Sequence, residues 1–428
     1  MQAAIALLLA AIAQAPLSDL WDMDAIKNDP LFAEIISEQT VEKDGIQINL
    51  REIRYLSHVW NGQEIRIAGH LAVPPSEKPL PAMILVTGNA EEAARTAASA
   101  GAVILAIDRV GEGNSTGPND MYANWLDLSE ETDIRNSWMR HYAMSATRAV
   151  TYLHTLEEVN PNAVGVSGWS RGGLCSLLAA AVDRRIRLCV PIAATGDFGS
   201  TEKYEHNWIV SHILNPLNLT TESMEWIRFK TNYDPLHYLD QIRAAVWIVN
   251  GAQDEYFPIT STAAFAQRLN AKSRLALIYD ADHGYFGTET GLYDSYLNPG
   301  IGPRIGSSLR KAIRSVLHEE GVLPQTPELS VEMHERRIDF SAAVDQSAPV
   351  RAARFIYSLD GAYTFQRVEL LDPSLPETGE LRISVSAARP EQLAAFIEVE
   401  YMDGGGVFYI ASAPYLSEGF TPKIRPAF

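Results

Sequence analysis

The chain has 428 residues, which is enough for two or three domains and for a large apolar core. Its apolar content of 46% and its charged content of 21% are typical of a globular protein. The formal net charge of −18 argues against binding to nucleic acid or to an anionic membrane surface.

The N-terminal residues form a short apolar run that ends in small residues, a pattern that predicts a signal peptide over residues 1–15. The run is too short to span a bilayer, and no later stretch reaches that length. We therefore expect a periplasmic or secreted protein with no membrane anchor. The alternative is a buried or frayed N-terminal helix.

Residues 16–40 are mixed in character and are predicted to be helical. Residues 46–55 and 65–73 alternate apolar and polar side chains, which predicts two half-exposed strands joined at the Asn61-Gly62 turn. Buried strands and helices then alternate along the chain, as in a mostly parallel sheet covered on both faces. The strands are predicted at 82–86, 103–107, 163–167, 188–192, 245–249 and 274–279, and the helices at 90–100, 138–156, 174–182, 261–269 and 307–317.

Two segments interrupt this alternation. Residues 194–240 are aromatic and polar, and they are predicted to form a cap inserted into the α/β domain. After Pro324 and Pro327 the pattern changes to short alternating strands without helices, which predicts an all-β sandwich. The predicted domains are therefore an α/β domain over residues 16–323 and a β-sandwich over residues 324–428.

A G-x-S-x-G motif at residues 168–172 lies between a predicted strand and a predicted helix. This is the setting of a nucleophile elbow, in which a tight turn lifts the central serine, here Ser170, above the sheet. A second match at residues 113–117 follows a polar loop and precedes Pro118, so it is predicted to be a glycine-rich loop. Ser170 is therefore the predicted nucleophile.

A serine hydroxyl needs a base, and the base needs an orienting carboxylate. In a fold of this kind the catalytic acid follows the serine along the chain and the histidine follows the acid, each in a loop after a strand. Of the ten histidines, only His283 meets both conditions, and Asp254 is the predicted acid. The competing acids are Glu255 and Asp282, followed by Asp280 and Asp234.

The oxyanion of acyl transfer needs N–H donors that are already in place. The backbone N–H groups of Arg171 and of Asn89, in the loop after strand 82–86, are the predicted donors. The Arg171 side chain has two equal interpretations, contact with a substrate carboxylate or acyl oxygen and a salt bridge. Trp169 and Trp208 are predicted to contact substrate.

No cofactor or metal is expected. The sequence has no P-loop and no complete GxGxxG motif, and His334-Glu335 lacks the second histidine of H-E-x-x-H. Cys175 and Cys189 are the only cysteines, and their apolar flanks favour buried thiols over a single disulfide.

The motif residues resemble those of known enzymes over roughly residues 45 to 320. Asp108-Arg109-x-Gly111-x-Gly113 and Gly168-Trp-Ser-Arg-Gly172 are similar to segments of the α/β-hydrolase superfamily, in its acetyl xylan esterase and dienelactone-hydrolase-like branch. Asn250-Gly-x-x-Asp254-Glu-Tyr-Phe257 also resembles PhoPQ-activated pathogenicity-related proteins. The resemblance implies an α/β-hydrolase fold, although Thr87-Gly88 stands where the superfamily usually has His-Gly.

Three functions are compatible with these patterns. The first is a serine esterase that forms an acyl-enzyme and acts on an acetyl or uronate ester of a carbohydrate or small molecule. The second is a serine peptidase of prolyl-oligopeptidase type, although such enzymes usually carry a large domain before the hydrolase. The third is a non-catalytic carbohydrate-binding or partner-binding protein with an esterase-like fold. The oligomeric state is not predicted.

Overall fold

The structure is a computed structural model that describes residues 15–129, 131–279, 281–284, 302–371, 378–388, 390–404 and 406–424. The chain forms two compact units. The first comprises residues up to 191 together with 209–244, and the second comprises 192–208 and the chain from 245 onward. The predicted boundary between 323 and 324 falls inside the second unit and stays a prediction. The predicted signal peptide lies outside the described residues apart from Ala15.

The first unit contains most of the predicted α/β domain. Its strands follow the spatial order β1-β2-β3-β5-β4-β6-β7. The pairs from β1 through β3 to β5 are antiparallel, whereas β4 runs parallel to both β5 and β6. The strands are β1 (Glu34–Lys43), β2 (Ile46–Trp60), β3 (Gln63–Val73), β4 (Leu80–Leu85), β5 (Val103–Ile107), β6 (Val159–Trp169) and β7 (Ile186–Ile192).

The central strands are short apolar runs that are buried along almost their whole length. Because β5, β4 and β6 are parallel, their carboxyl ends meet at one edge of the sheet, where open α/β folds carry their sites. The helices of this unit are α1 (Leu17–Leu20), α2 (Met23–Asn28), α3 (Ala90–Ala100), α4 (Tyr122–Trp125), α5 (Trp138–Leu153), α6 (Arg171–Val182) and α8 (Met224–Tyr233).

The helical prediction for residues 16–40 is wrong in its second half. Only α1 and α2 are helical there, and Glu34–Lys43 is the extended strand β1. Asp44 and Gly45 have φ of 51° and 78°, the left-handed values of a two-residue hairpin turn, and β1 pairs with β2 directly across them. The Asp-Gly signal at this turn was present in the sequence. It was overlooked because β1 is largely exposed and its apolar residues do not alternate.

The second unit begins with helix α7 and contains the remaining α/β elements. These are α7 (Phe198–Thr201), β8 (Ala245–Gly251), α9 (Ile259–Ala266), β9 (Arg274–Ile278) and α10 (Gly302–Ala312). Strands β8 and β9 are parallel and fully buried, so the loops that follow them leave from the same edge. Ala193, just after β7, donates to the Val249 carbonyl of β8 at 2.8 Å.

The C-terminal part of the second unit consists of two antiparallel sheets, as predicted. One has the order β10-β11-β14 and the other β13-β12-β15-β16, with β17 paired to β15. The Phe340 ring of the first sheet lies 5.6 Å from the Tyr357 ring of the second, so the sheets pack face to face. The strands are β10 (Glu328–Met333), β11 (Ile338–Ala343), β12 (Val350–Ser358), β13 (Gln366–Leu371), β14 (Glu380–Val385), β15 (Ala394–Asp403), β16 (Gly406–Ala411) and β17 (Tyr415–Leu416).

The predicted cap, residues 194–240, contains short helices and no strand. Besides α7 and α8 it holds a π-helix at Ile209–Leu214 and 3-10 turns at Asn215–Leu217 and Pro235–Gln241. The division between the two units falls within this segment, after residue 208. Its role as a cap stays a prediction.

The two cysteines are buried and free, as their apolar flanks predicted. Cys175 lies in α6, where its thiol contacts the Tyr142 carbonyl at 3.3 Å, and Cys189 lies in β7. Among the described helices, none combines the length and apolar character needed to cross a membrane.

Candidate active site

The turn from β6 into α6 has the geometry of a nucleophile elbow. Ser170 has φ 53° and ψ −113°, a strained backbone conformation for a residue with a side chain. A Cβ on Gly168 would lie 2.5 Å from the Gly172 carbonyl carbon, and one on Gly172 would lie 2.8 Å from the Val86 carbonyl oxygen. The two glycines of the motif are therefore required by the close approach of strand, helix and neighbouring strand.

The loops after β4 and β5 meet at the Asp108 carboxylate. A Cβ on Gly88, which has φ 68°, would lie 2.1 Å from one carboxylate oxygen of Asp108. A Cβ on Gly113 would lie 2.4 Å from the other oxygen, and that oxygen accepts the Asn114 N–H at 3.0 Å. The loop holding the second G-x-S-x-G match therefore packs around a carboxylate, and no helix starts at Pro118-Asn119, as predicted.

The predicted oxyanion donors begin two helices. Asn89 is the N-cap of α3 and accepts the Glu92 N–H with its side chain at 2.9 Å, and Arg171 is the first residue of α6. Within the described part of the chain, neither backbone N–H donates to a protein acceptor. Their role as oxyanion donors stays a prediction.

The Arg171 side chain forms the salt bridge that was one of its two interpretations. Its guanidinium lies 2.6 Å from the Asp120 carboxylate, whose side chain is fully buried. Asp120 also binds Arg109 at 3.1 Å and accepts the Trp125 Nε1 proton at 2.9 Å. Asp120 was missed by the sequence analysis because it is 51 residues from Arg171 and lies in an irregular segment.

Asp254 and His283 are brought together in the second unit, in the loops after β8 and β9. The Nδ1 atom of His283 lies 3.0 and 3.1 Å from the two carboxylate oxygens of Asp254. The Asp254 side chain is fully buried. A carboxylate that binds Nδ1–H in this way fixes the tautomer in which Nε2 is the basic nitrogen.

The Asp254 loop is held by its own backbone and by aromatic rings. One carboxylate oxygen of Asp254 accepts the backbone N–H groups of Tyr256 and Phe257, both at 2.8 Å. The Tyr256 ring stacks on the His283 imidazole with a centroid distance of 4.1 Å. Both residues of the pair are thereby fixed in orientation.

The competing acids lie elsewhere or act differently. Glu255 accepts the backbone N–H of His283 at 3.0 Å rather than its ring proton. Asp234 caps a 3-10 turn in the first unit by accepting the Leu236 N–H at 3.0 Å. Asp282 adjoins His283 in the chain, and Asp280 lies outside the described residues.

Charge around His283 favours its protonated form. Burial alone would lower its pKa, but the Asp254 carboxylate and its hydrogen bond outweigh burial and raise the pKa of His283. Burial, followed by the negative charge of Asp254, raises the pKa of Glu255 to about 7. The raised pKa of Glu255 and the raised pKa of His283 therefore belong to neighbouring groups in the same two loops.

The two predicted substrate-contacting tryptophans differ in exposure. Trp169 is half-buried at the end of β6. Trp208 is only 3% exposed, and its Nε1 donates to the Tyr256 carbonyl at 2.8 Å. The contacts of Trp208 thus support the loop that carries Asp254, while contact with substrate stays a prediction for both residues.

Two histidines that precede the elbow, the buried His141 and the half-buried His58, form a stacked pair in the first unit. The Nε2 atom of His58 lies 2.8 Å from Nδ1 of His141, and the rings stack. Burial, with help from the Arg140 charge, lowers the pKa of His141 to about 3, so its imidazole is neutral and structural. This agrees with the choice of His283 as the base.

Within the described residues, one group of side chains has metal-ligand spacing, namely Glu332, His334 and Asp339 on β10, β11 and the turn between them. Asp339 is already bound by Arg337 and by Ser384 at 3.0 and 2.5 Å. The group has the character of a surface ion-pair cluster.

The amino-acid sequence is similar to the model of a protein family and to part of an acetyl esterase. The sequence model of the family described as PhoPQ-activated pathogenicity-related protein matches residues 120–294. An acetyl esterase of Xylanibacter ruminicola is 27% identical over 150 residues, or 34% of this chain. That match spans 31% of the esterase's own length.

Solved structures extend the likeness to the fold. Acetyl xylan esterase 1 of a Thermoanaerobacterium species superposes with a TM-score of 0.52 at 19% identity, covering 65% of this chain and 91% of that one. An acetyl xylan esterase of a Paenibacillus species gives 0.53 at 22% identity, covering 64% and 92%. With the strand–elbow–helix geometry described above, these similarities identify the chain as a protein of the α/β-hydrolase fold with a C-terminal all-β extension.

Proposed function

We propose that the chain hydrolyses carboxylic esters of carbohydrates, such as acetyl or uronate esters, through an acyl-enzyme on Ser170. The observation that carries the proposal is the hydrogen bond between His283 Nδ1 and the buried Asp254 carboxylate. Such a pair makes Nε2 a base that can take the proton of a serine hydroxyl. The strained elbow at Ser170 supplies the hydroxyl that the base would serve.

In the proposed mechanism, Ser170 Oγ attacks the acyl carbon while His283 Nε2 takes its proton. The resulting oxyanion accepts hydrogen bonds from the Arg171 and Asn89 backbone N–H groups. The tetrahedral intermediate collapses, and the alcohol leaves with the proton from His283. Water then attacks the acyl-enzyme with His283 again as base, and the carboxylic acid is released.

The substrate class is supported by the names of the similar proteins. The sequence relative is called an acetyl esterase, and the two superposed structures are called acetyl xylan esterases. An exported protein of net charge −18 that meets a polysaccharide outside the cell fits this class. Export itself is part of the proposal.

A fluorophosphonate probe tests the nucleophile. We expect labelling of the full-length protein that is lost in Ser170→Ala and falls strongly in His283→Ala, compared at a temperature at which circular dichroism shows each variant to be folded. Absence of labelling in the folded wild-type protein would contradict the proposal.

A substrate panel tests the class. We expect hydrolysis of p-nitrophenyl acetate and of acetylated xylan oligosaccharides or a uronate methyl ester, with little activity on a peptide anilide. Faster turnover of the anilide than of every ester would favour a peptidase instead. Ser170→Ala is the matched control for non-enzymatic ester hydrolysis.

A further inference from the structure

We propose that Glu255 is a positioning residue that anchors the main chain of His283 and adds a second negative charge beside its imidazole. The inference rests on the proposed role of His283 as the base. Glu255 has a task distinct from that of Asp254, although the two carboxylates are consecutive in the chain.

The anchoring contact joins the two loops that follow β8 and β9. The Glu255 Oε2 atom accepts the His283 backbone N–H at 3.0 Å, and Glu255 is only 8% exposed. The same loops are held by a hydrogen bond of 3.0 Å from the Gln253 N–H to the Ala281 carbonyl. A Cβ on Gly251 would lie 2.3 Å from that carbonyl oxygen, so the loops are in close contact before Glu255 adds its bond.

The two carboxylates therefore orient the base through different contacts. Asp254 fixes the rotation of the imidazole through Nδ1, and Glu255 fixes the backbone from which the imidazole projects. Rotation about the side-chain bonds is limited further by the Tyr256 ring stacked on the imidazole. Loss of either carboxylate should thus affect the base in a different way.

The charge of Glu255 bears directly on His283. Asp254 acts electrostatically on both Glu255 and His283, and Asp282 acts on His283. Burial and the Asp254 charge raise the pKa of Glu255 to about 7, and the ionised Glu255 in turn raises the pKa of His283. Near neutral pH each group favours the charged form of the other, so their titrations are coupled.

A glutamine would accept the same backbone N–H without the cost of a buried charge. Because the folded-state pKa of Glu255 is raised, its contribution to stability is present below the unfolded pKa and lost as pH rises through about 7. The melting temperature of Glu255→Gln, measured relative to that of wild type, should therefore be higher at about pH 8 than at about pH 5, and at about pH 8 the variant should melt at or above the wild-type temperature. If Glu255 were a purely structural carboxylate, the variant would melt below wild type at about pH 8.

The sharpest test measures the imidazole itself. With histidines labelled at ¹³Cε1, the His283 resonance is assigned by its absence in His283→Gln and titrated in wild type and in Glu255→Gln. We expect the variant to lower the apparent pKa of His283 by roughly 0.5 to 1 unit, since a nearby negative charge is removed. An unchanged titration would overturn the proposal, and this readout does not depend on whether the protein has esterase activity.

Activity separates anchoring from charge. Glu255→Gln should keep most of the wild-type kcat at about pH 8, and the acid limb of its kcat/KM profile should move to lower pH, because the limb follows the base. Glu255→Ala loses the acceptor as well and should lower kcat about ten- to a hundredfold, with a smaller change in KM. Equal losses in both variants would overturn the anchoring role.

Asp282→Asn is the matched control. It removes the same charge one residue from His283, from a half-buried side chain whose field is better screened by water. We expect a smaller shift of the His283 titration than in Glu255→Gln. A shift as large as that of Glu255→Gln would mean that any nearby carboxylate has the same effect, which would contradict a special role for Glu255.

Discussion

The nucleophile elbow and the acid–histidine pair are held in place by different forces. At the elbow the constraint is steric, because a Cβ on Gly168 or on Gly172 would overlap backbone atoms. At the pair the constraint is polar, because the Asp254 carboxylate accepts two backbone N–H groups and the imidazole proton. A steric constraint should respond to added volume, and a polar one to changed charge, so substitutions can separate the two.

Among substitutions of the acid–histidine pair, the largest effect on turnover is expected for Asp254→Asn. The amide oxygen can still accept the Tyr256 and Phe257 N–H groups, so stability should change by less than about 1 kcal/mol. The amide NH₂ would face Nδ1, however, and select the wrong imidazole tautomer, which should lower kcat about 10⁴-fold. Steady-state kinetics and thermal melting measure the two effects.

Asp282→Asn is again the control, because Asp282 was a competing acid in the sequence. It should keep activity within about tenfold of wild type, as expected for a group that does not orient the base. If Asp282→Asn lost as much activity as Asp254→Asn, the assignment of Asp254 as the orienting acid would be contradicted.

Gly168→Ala tests the steric constraint at the elbow and should cause the largest loss of folding stability. Its methyl group would lie 2.5 Å from the Gly172 carbonyl carbon, a backbone atom that cannot rotate away. We expect a loss of about 2–3 kcal/mol in the free energy of unfolding and a strong loss of activity. Urea unfolding followed by fluorescence measures the change.

Gly306→Ala, in helix α10, is the matched substitution where an added Cβ meets no atom within 4 Å. It should stabilise the protein by about 0.5–1 kcal/mol, because alanine is the better helix former. Equal behaviour of the two variants would show that the elbow is not sterically constrained.

The same difference explains how much the sequence could reveal. A steric constraint appears in the sequence as glycines at fixed spacing. The motif at 168–172 therefore predicted the strained turn, in which Ser170 has φ 53°. The predicted helix at 90–100 and strand at 103–107 match α3 and β5 in full, because α3 is an alanine-rich helix with one buried face and β5 is a continuous buried apolar run. Local patterns were therefore sufficient for these parts.

A polar constraint requires particular residue types, but the sequence does not show which of these residues bind one another. Chain order selected Asp254 and His283, yet it did not separate the orienting role of Asp254 from the backbone contact of Glu255. Nor did it reveal Asp120, which pairs with Arg171 across 51 residues. Strand β1 was missed for a related reason, since an exposed strand has no buried face to give it a period.

The effect most specific to the elbow is a small difference in stability between Ser170→Gly and Ser170→Ala. Both lose the hydroxyl, so both should be inactive, but only glycine adopts φ 53° without strain. Relief of strain worth about 1–3 kcal/mol exceeds the extra chain entropy of glycine, about 0.5–1 kcal/mol. Ser170→Gly should therefore be more stable than Ser170→Ala by about 1 kcal/mol in urea unfolding. A glycine variant less stable than the alanine variant would mean that a Cβ at position 170 stabilises the turn by more than its backbone strain costs.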